Sequence, residues 1–163
     1  PKPVIAEVSG VATAAGCQLV ASCDLAYVGE SAKFATPGVN IGLFCSTPMV
    51  ALSRTVSNKR SMEMLLTGDL ISAKKAVEIG LVNEVVKDDS LNNFVLDKAL
   101  KISKKSSLTL KIGKEAFYKQ IDMTLSKAYD YASEVMVNNM LKLDAEEGID
   151  AFINKRQPKW KDK

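Results

Sequence analysis

The stretch Ser9-Gly10-Val11-Ala12-Thr13-Ala14-Ala15-Gly16-Cys17-Gln18 is where residue types and spacing first suggest chemistry. A strand leaves through a tight turn and enters a helix whose first residues carry almost no side chain. The N–H groups of a helix's first turn lack intrahelical acceptors and point outward, so small residues there let a ligand oxygen reach the backbone. Such donors can hold a developing oxyanion, at roughly 3–4 kcal/mol per donor. On spacing alone, a close-packed helix start explains the same small residues more simply.

The rest of the chemistry is bounded by an absence. The chain contains no histidine, which removes Ser-His-Asp and Cys-His nucleophile activation and the HExxH zinc motif. A general acid or base must be Asp, Glu, Lys, Tyr or Cys. Glu7, Asp24 and Glu30 are the acids nearest the small-residue stretch in sequence, and they read as structural or solvated. Cys17, Cys23 and Cys45 have no CxxC spacing and read as small buried thiols in a reducing, intracellular compartment. Cys45 has no neighbouring His or cation in sequence to activate it as a nucleophile. No metal or cofactor motif is present.

The elements that must position these residues can be read from punctuation and periodicity. Val4–Val8 is a strand, Ala14–Cys23 a buried helix, Asp24–Val28 a second strand and Lys33–Ala35 a short third. Thr36–Gly38 and Gly42–Pro48 are loops, with Pro48 in the first turn of a helix running to Val56. A glycine directly after proline, as at Gly38, is expected at positive φ. Asn58 should cap a helix that Gly68 ends, and Ser72 one that Gly80 ends. Leu81–Val86 is a further strand. Leu91, Phe94, Val95, Ala99 and Ile102 share one helical face, as do Leu125, Ala128, Ala132, Val135 and Met136. Asp144 should cap a last helix. The class is α/β with a helical C-terminal third.

Composition is that of an ordinary globular chain: 163 residues, 47% hydrophobic, 25% charged, net charge +3. The charge is too mild and dispersed for nucleic acid, and no run is apolar and long enough to span a membrane. Pro1 is not Met, and the residues after it read as a strand already under way, so a chain cropped from a longer one is expected.

Pro3-Val4-Ile5-Ala6-Glu7-Val8-Ser9-Gly10, Ala14-Ala15-Gly16-Cys17-Gln18-Leu19 and Cys23-Asp24 resemble P-V-I-A-x-V-x-G…G-G-G-x-E-L…C-D of the enoyl-CoA hydratase/isomerase (crotonase) family. Phe34–Gly42 is similar to that family's F-x-x-P-E-x-x-x-G, and Met64–Ala73 to its M-x-L-T-G-x-x-I-x-A. Ala76–Val82 and Glu147–Arg156 are similar to A-x-x-x-G-L-V and E-G-x-x-A-F-x-x-K-R. The motifs run in family order along nearly the whole chain. They are most similar to the divergent, enoyl-CoA hydratase domain-containing members that lack the catalytic Glu pair.

The resemblance implies a spiral of strand-strand-helix units (residues 1–105, the C-terminal part of the core) and a helical trimerisation region (106–163). It implies acyl-CoA as substrate or ligand, homotrimers or hexamers, and the lyase and isomerase chemistry of fatty acid metabolism. A bacterial member would be cytoplasmic, and a mitochondrial location suits a eukaryotic one. It places a backbone oxyanion donor at Ala15, and a partner donor on an earlier loop absent from this sequence. The acyl-CoA would be lined by Val11, Thr13, Ala14, Gly16, Thr36, Pro37, Phe44, Met136 and Phe152, with Lys155 reaching the CoA phosphates. At the positions of the two hydratase carboxylates stand Gln18 and Gly38, which transfer no proton at neutral pH. Loss of such a group costs roughly 10²–10⁴-fold in rate. Three readings follow: enolate stabilisation without the Glu pair, non-catalytic acyl-CoA binding or regulation, and a hydratase with relocated acid/base groups.

Overall fold

Short runs of β-branched and small apolar residues, separated by helices, give the first part of the chain a parallel strand-and-helix organisation. The computed structural model describes residues 2–163, which divide into two units: residues 4–99, and residues 2–3 with 100–163. In the first unit β1 (Ile5–Val8), β2 (Val11–Thr13), α1 (Ala15–Ser22), β3 (Leu25–Gly29) and β4 (Lys33–Ala35) follow in order. β1 pairs with β3 in parallel, Val8 opposite Val28, and β3 continues in parallel to β6 (Glu84–Val86). β2 pairs with β4 in parallel, and β5 (Ile71–Ser72) closes that second sheet antiparallel to β4.

The helices α2 (Ser46–Thr55), α3 (Asn58–Thr67), α4 (Ala73–Glu78) and α5 (Leu91–Ser103) complete the unit, the last of them running past its boundary. Phe34, Val28, Leu52 and Leu65 are fully buried in one apolar cluster that also holds Cys17 and Cys45. Each such side chain contributes about 1.5–3 kcal/mol of burial. A smaller cluster sets Tyr27 against Leu91 and Val95, with Phe94 edge-on to the Tyr27 ring at 5.3 Å.

The expected helix stops are present: Gly68 at φ 67° and Gly80 at φ 81° end α3 and α4 in the left-handed conformation. Ser72 caps α4 by accepting the Lys75 N–H at 3.2 Å. Asn58 is the first helical residue of α3 rather than its cap; Ser57 precedes it, without a side-chain cap bond. The strand expected over residues 81–86 shrinks to Glu84–Val86, because the Leu81 and Val82 amides are drawn onto the Ala76 carbonyl in the turn after α4. β2 and β5 were not expected, being three and two residues long, too short to show a period. Of the three cysteines expected to be buried, Cys23 is only half-buried, its Sγ donating to the Leu19 carbonyl.

The second unit contains α6 (Ser107–Gln120), α7 (Leu125–Met140) and α8 (Leu143–Ile153). Asp144 does not cap α8: it lies inside the first turn, after Lys142 as N-cap. Its buried carboxylate accepts the Ser106 hydroxyl and the amides of Lys161 and Asp162. Those bonds, the Ser106 hydroxyl first, hold the Asp144 carboxyl below its ordinary range. Asp162 in turn accepts the amides of Ser107 and Leu108 at the start of α6.

Further along, Arg156 pairs bidentately with Glu147 at 2.6 and 2.8 Å and also bonds Asp150. Trp160 donates to the Lys104 carbonyl at 2.8 Å and lies against Gly148, where an added Cβ would meet its ring at 3.3 Å. Lys114, expected on a solvated face, donates to the Lys2 carbonyl at 2.9 Å. No helix among the described residues is long and apolar enough to cross a membrane.

Candidate strand-end site

The site is built where two parallel strands finish side by side. Thr13 of β2 lies opposite Ala35 of β4, and the next amide, Ala14 N–H, donates to the Ala35 carbonyl at 3.0 Å. The chain then turns from one strand into α1 and from the other into a 3₁₀ turn over Pro37–Ile41. Ala14–Gly16 and Thr36–Gly38 are thereby neighbours at the carboxyl ends of parallel strands, where open α/β folds place ligands.

The turn into α1 is strained. Ala14 has φ 47° and ψ −112°, a conformation that costs a residue with a Cβ about 1–3 kcal/mol. The Gln18 amide closes the first turn on the Ala14 carbonyl at 3.0 Å. No side chain caps this end, and the Ala15 amide has no backbone acceptor among the described residues. Gly16 leaves ordinary room: a Cβ there would stand 3.8 Å from the Ala12 Cβ. Gln18 is half-buried, Val11 is exposed and Thr13 half-buried.

Gly38 differs from expectation in an instructive way. Its φ is not positive, so no backbone strain would meet a side chain there. Space is the obstacle. An added Cβ would lie 2.7 Å from the Leu43 carbonyl oxygen and 2.9 Å from Cys45 Sγ. The loop is fastened in that position by the Leu43 amide on the Gly38 carbonyl at 2.9 Å and the Gly38 amide on Cys45 Sγ at 3.3 Å. Burial, and secondarily Cys45, pushes the Cys17 thiol up to about 11, leaving it protonated at neutral pH. Thr36 is wholly buried, Pro37 is half-buried and Phe44 is 42% exposed.

Thus Val11, Thr13, Ala14, Ala15, Gly16, Gln18, Thr36, Pro37, Gly38 and Phe44 all belong to the first unit. Met136, Phe152 and Lys155 belong to the second, where Met136 is 60% and Phe152 84% exposed. Lys155 sits at φ 51° just past the end of α8, where its amide and that of Arg156 close the helix on the carbonyls of Phe152 and Ala151.

Asp24 is structural, accepting the Val4 amide at 2.7 Å, and Glu7 accepts from Asn92. A separate cleft of about 140 Å³ lies between α3 and α4, its Arg60–Glu63 pair at 2.7 Å; no residue of the strand-end site lines it. Sequence reading missed the strain at Ala14, whose signal is the glycine that the family pattern carries there. It also missed the closing of the 43–45 loop over Gly38, which no local pattern announces.

A parallel strand-strand-helix core carrying a small-residue helix start is the layout of the crotonase fold, and the chain has it. Residues 1–163 match the enoyl-CoA hydratase/isomerase family model, and the chain belongs to that family. It is 53% identical over 160 residues to the mitochondrial enoyl-CoA hydratase domain-containing protein 3 of Xenopus laevis, covering 98% of this chain and 54% of that one. Against the human protein of the same name the figures are 51%, 98% and 53%. A Mycobacterium smegmatis enoyl-CoA hydratase structure superposes at TM-score 0.96 with 49% identity, over 98% of this chain and 62% of its own. The human domain-containing protein 3 structure does so at 0.95 with 51% identity, over 97% and 62%. The chain spans about half the length of the curated relatives it matches.

Proposed function

We propose that this chain is the C-terminal portion of a protein that binds acyl-CoA thioesters and polarises the thioester carbonyl through backbone N–H donors, without paired-carboxylate activation of water. The observation that carries the proposal is the crowding at Gly38: backbone and thiol fill the space into which a side chain would grow. Gln18 adds an amide that neither takes nor gives a proton. The donor on this chain is the Ala15 amide, and Val11, Thr13, Ala14, Gly16, Thr36, Pro37 and Phe44 border its site. The family resemblance offers Met136 and Phe152 for an acyl end and Lys155 for CoA phosphates, three residues that belong to the other unit. No organic cofactor or metal takes part.

The protein self-associates as a trimer or hexamer through its C-terminal helices: the Leu125–Met136 stripe has Leu125 76% and Met136 60% exposed, more apolar surface than a helix ordinarily leaves uncovered. A mitochondrial location is favoured by the names of the curated relatives. The same crowding supports a second reading, in which the protein binds acyl-CoA without turnover.

The test uses the full-length protein. Calorimetry should detect acyl-CoA binding, while loss of the conjugated thioester absorbance of crotonyl-CoA should be roughly 10²–10⁴-fold slower than for a family member with both carboxylates. Hydration at that member's rate would overturn the proposal. Light scattering that gives a monomer mass at micromolar concentration would remove the assembly claim.

A further inference from the structure

We infer that Lys104, Lys105, Lys142, Lys159, Lys161 and Lys163 form a surface through which this protein adsorbs to anionic lipid headgroups. These lysines are scattered in sequence, and the fold gathers them. The Trp160 indole N–H donates to the Lys104 carbonyl at 2.8 Å. Asp162 accepts the Ser107 amide at 2.9 Å, so the segment 159–163 runs beside the turn that joins α5 to α6. Asp144 takes the Lys161 amide at 2.7 Å and gives its own amide to the Lys163 carbonyl at 3.3 Å. Lys142, just before it as the N-cap of α8, thereby joins the group. All six lysines are exposed.

The balance of charge follows the division of the chain. Residues 100–163 carry 13 Lys and Arg against 9 Asp and Glu, whereas residues 4–99 carry 8 against 10, so the cationic surface belongs to the second unit. The carboxylates beside the lysines are turned to other partners. Asp144 is buried on the Ser106 hydroxyl and two amides, Asp162 holds the Ser107 and Leu108 amides, and Glu147 is matched by Arg156. None of the six ammonium groups forms an ion pair among the described residues. Only Asp144, Glu146 and Asp162 remain to offset them.

The chemistry of the patch selects the partner. All six cations are ammonium groups, compact point charges suited to a diffuse anionic surface. The neighbouring guanidinium, Arg156, which would recognise a single phosphate bidentately, has its donors on Glu147 and Asp150. Leu143, 47% exposed, follows Lys142, and the half-buried Trp160 stands between Lys159 and Lys161. An apolar side chain and an amphipathic aromatic set among lysines suit the headgroup boundary of a bilayer. Clusters of roughly 4–8 basic residues hold to such surfaces by an attraction that salt screens.

The experiment is co-sedimentation of the full-length protein with vesicles of three parts phosphatidylcholine to one part phosphatidylserine, against vesicles of phosphatidylcholine alone. Wild type should sediment with the anionic vesicles only and be released by raised salt. Lys104→Gln with Lys105→Gln should weaken binding about thirtyfold. Lys59→Gln with Lys74→Gln, an equal loss of exposed charge in the first unit, should leave it within about twofold. Both double variants should unfold at the wild-type temperature, since neither removes a buried group. Equal sedimentation with the two vesicle types, or equal weakening by the two double variants, overturns the inference. Release by stoichiometric coenzyme A overturns it too, because the lysines would then serve the phosphates of an acyl-CoA ligand. Tighter retention by duplex DNA than by anionic vesicles does the same, in favour of nucleic acid.

Discussion

The end of the β2–β4 strand pair and the C-terminal stretch after α8 treat their polar groups in opposite ways. In and after α8, several polar groups have found partners within their own unit. Glu147 grips Arg156 with both oxygens and takes the Lys159 amide with one of them, Asp144 gathers a hydroxyl and two amides, and Trp160 spends its indole N–H on Lys104. At the strand ends the Ala15 amide and the Thr36 hydroxyl have no partner among the described residues, and Ala14 is strained. Both regions carry family motifs, yet for different physical reasons. Glu147, Gly148 and Arg156 are explained by what they hold inside the fold, whereas Ala14–Gly16 and Thr36–Gly38 are not. A donor left without a partner among the described residues at an exposed helix start, such as the Ala15 amide, is the kind of group a ligand can use.

The sharpest way to break this contrast is at Gly38. Gly38→Glu, the change that would restore a carboxylate, forces a Cβ within 2.7 Å of the Leu43 carbonyl and should destabilise the protein by about 3 kcal/mol in urea unfolding. An unchanged midpoint would mean the 43–45 loop yields freely, and the crowding argument would fail with it.

A smaller effect of opposite sign is expected at Ala14. Ala14→Gly removes the penalty of a Cβ at φ 47° and should stabilise by about 1 kcal/mol, net of the added freedom of the unfolded chain. Loss of stability would show that the Ala14 methyl contributes more to packing than the strain costs.

Much of the fold was legible because long apolar faces and glycine stops are local signals. α1, and the ends of α3 and α4 at Gly68 and Gly80, needed nothing from distant residues. β2 and β5 are made by pairing, with Val11 set opposite Lys33 and Phe34 opposite Ile71, so their two or three residues carry no period of their own. Asp144 looked like a cap because capping is a local rule; its real partners, Lys161 and Asp162, lie 17 and 18 residues away. The same limit applies to the site. The small residues of the helix start were visible, but the obstruction at Gly38 is made by a loop that folds back from residues 43–45.

The mildest test concerns the satisfied side of the comparison. The Arg156 guanidinium, followed by the Lys159 amide, brings the Glu147 carboxyl from an ordinary 4.5 to about 2. A carboxyl with a lowered folded-state value contributes stability above its unfolded value and loses it as the pH falls toward the folded one. Wild type should therefore lose stability between about pH 4.5 and 2 more steeply than Glu147→Gln, followed by urea midpoints at stepped pH. Parallel slopes would mean the pair does not persist in solution.

The bond from Asp162 to the start of α6 also has a meaning in time. The Ser107 amide waits for a carboxylate 55 residues further along the chain. At synthesis rates of roughly 5–20 residues per second, that carboxylate is made about 3–11 seconds after Ser107. Through that interval α6 leaves the ribosome with only the Ser106 hydroxyl, on the Thr109 amide, to cap its first turn. The capping of α6 by Asp162 is thus completed only once residue 162 has been made.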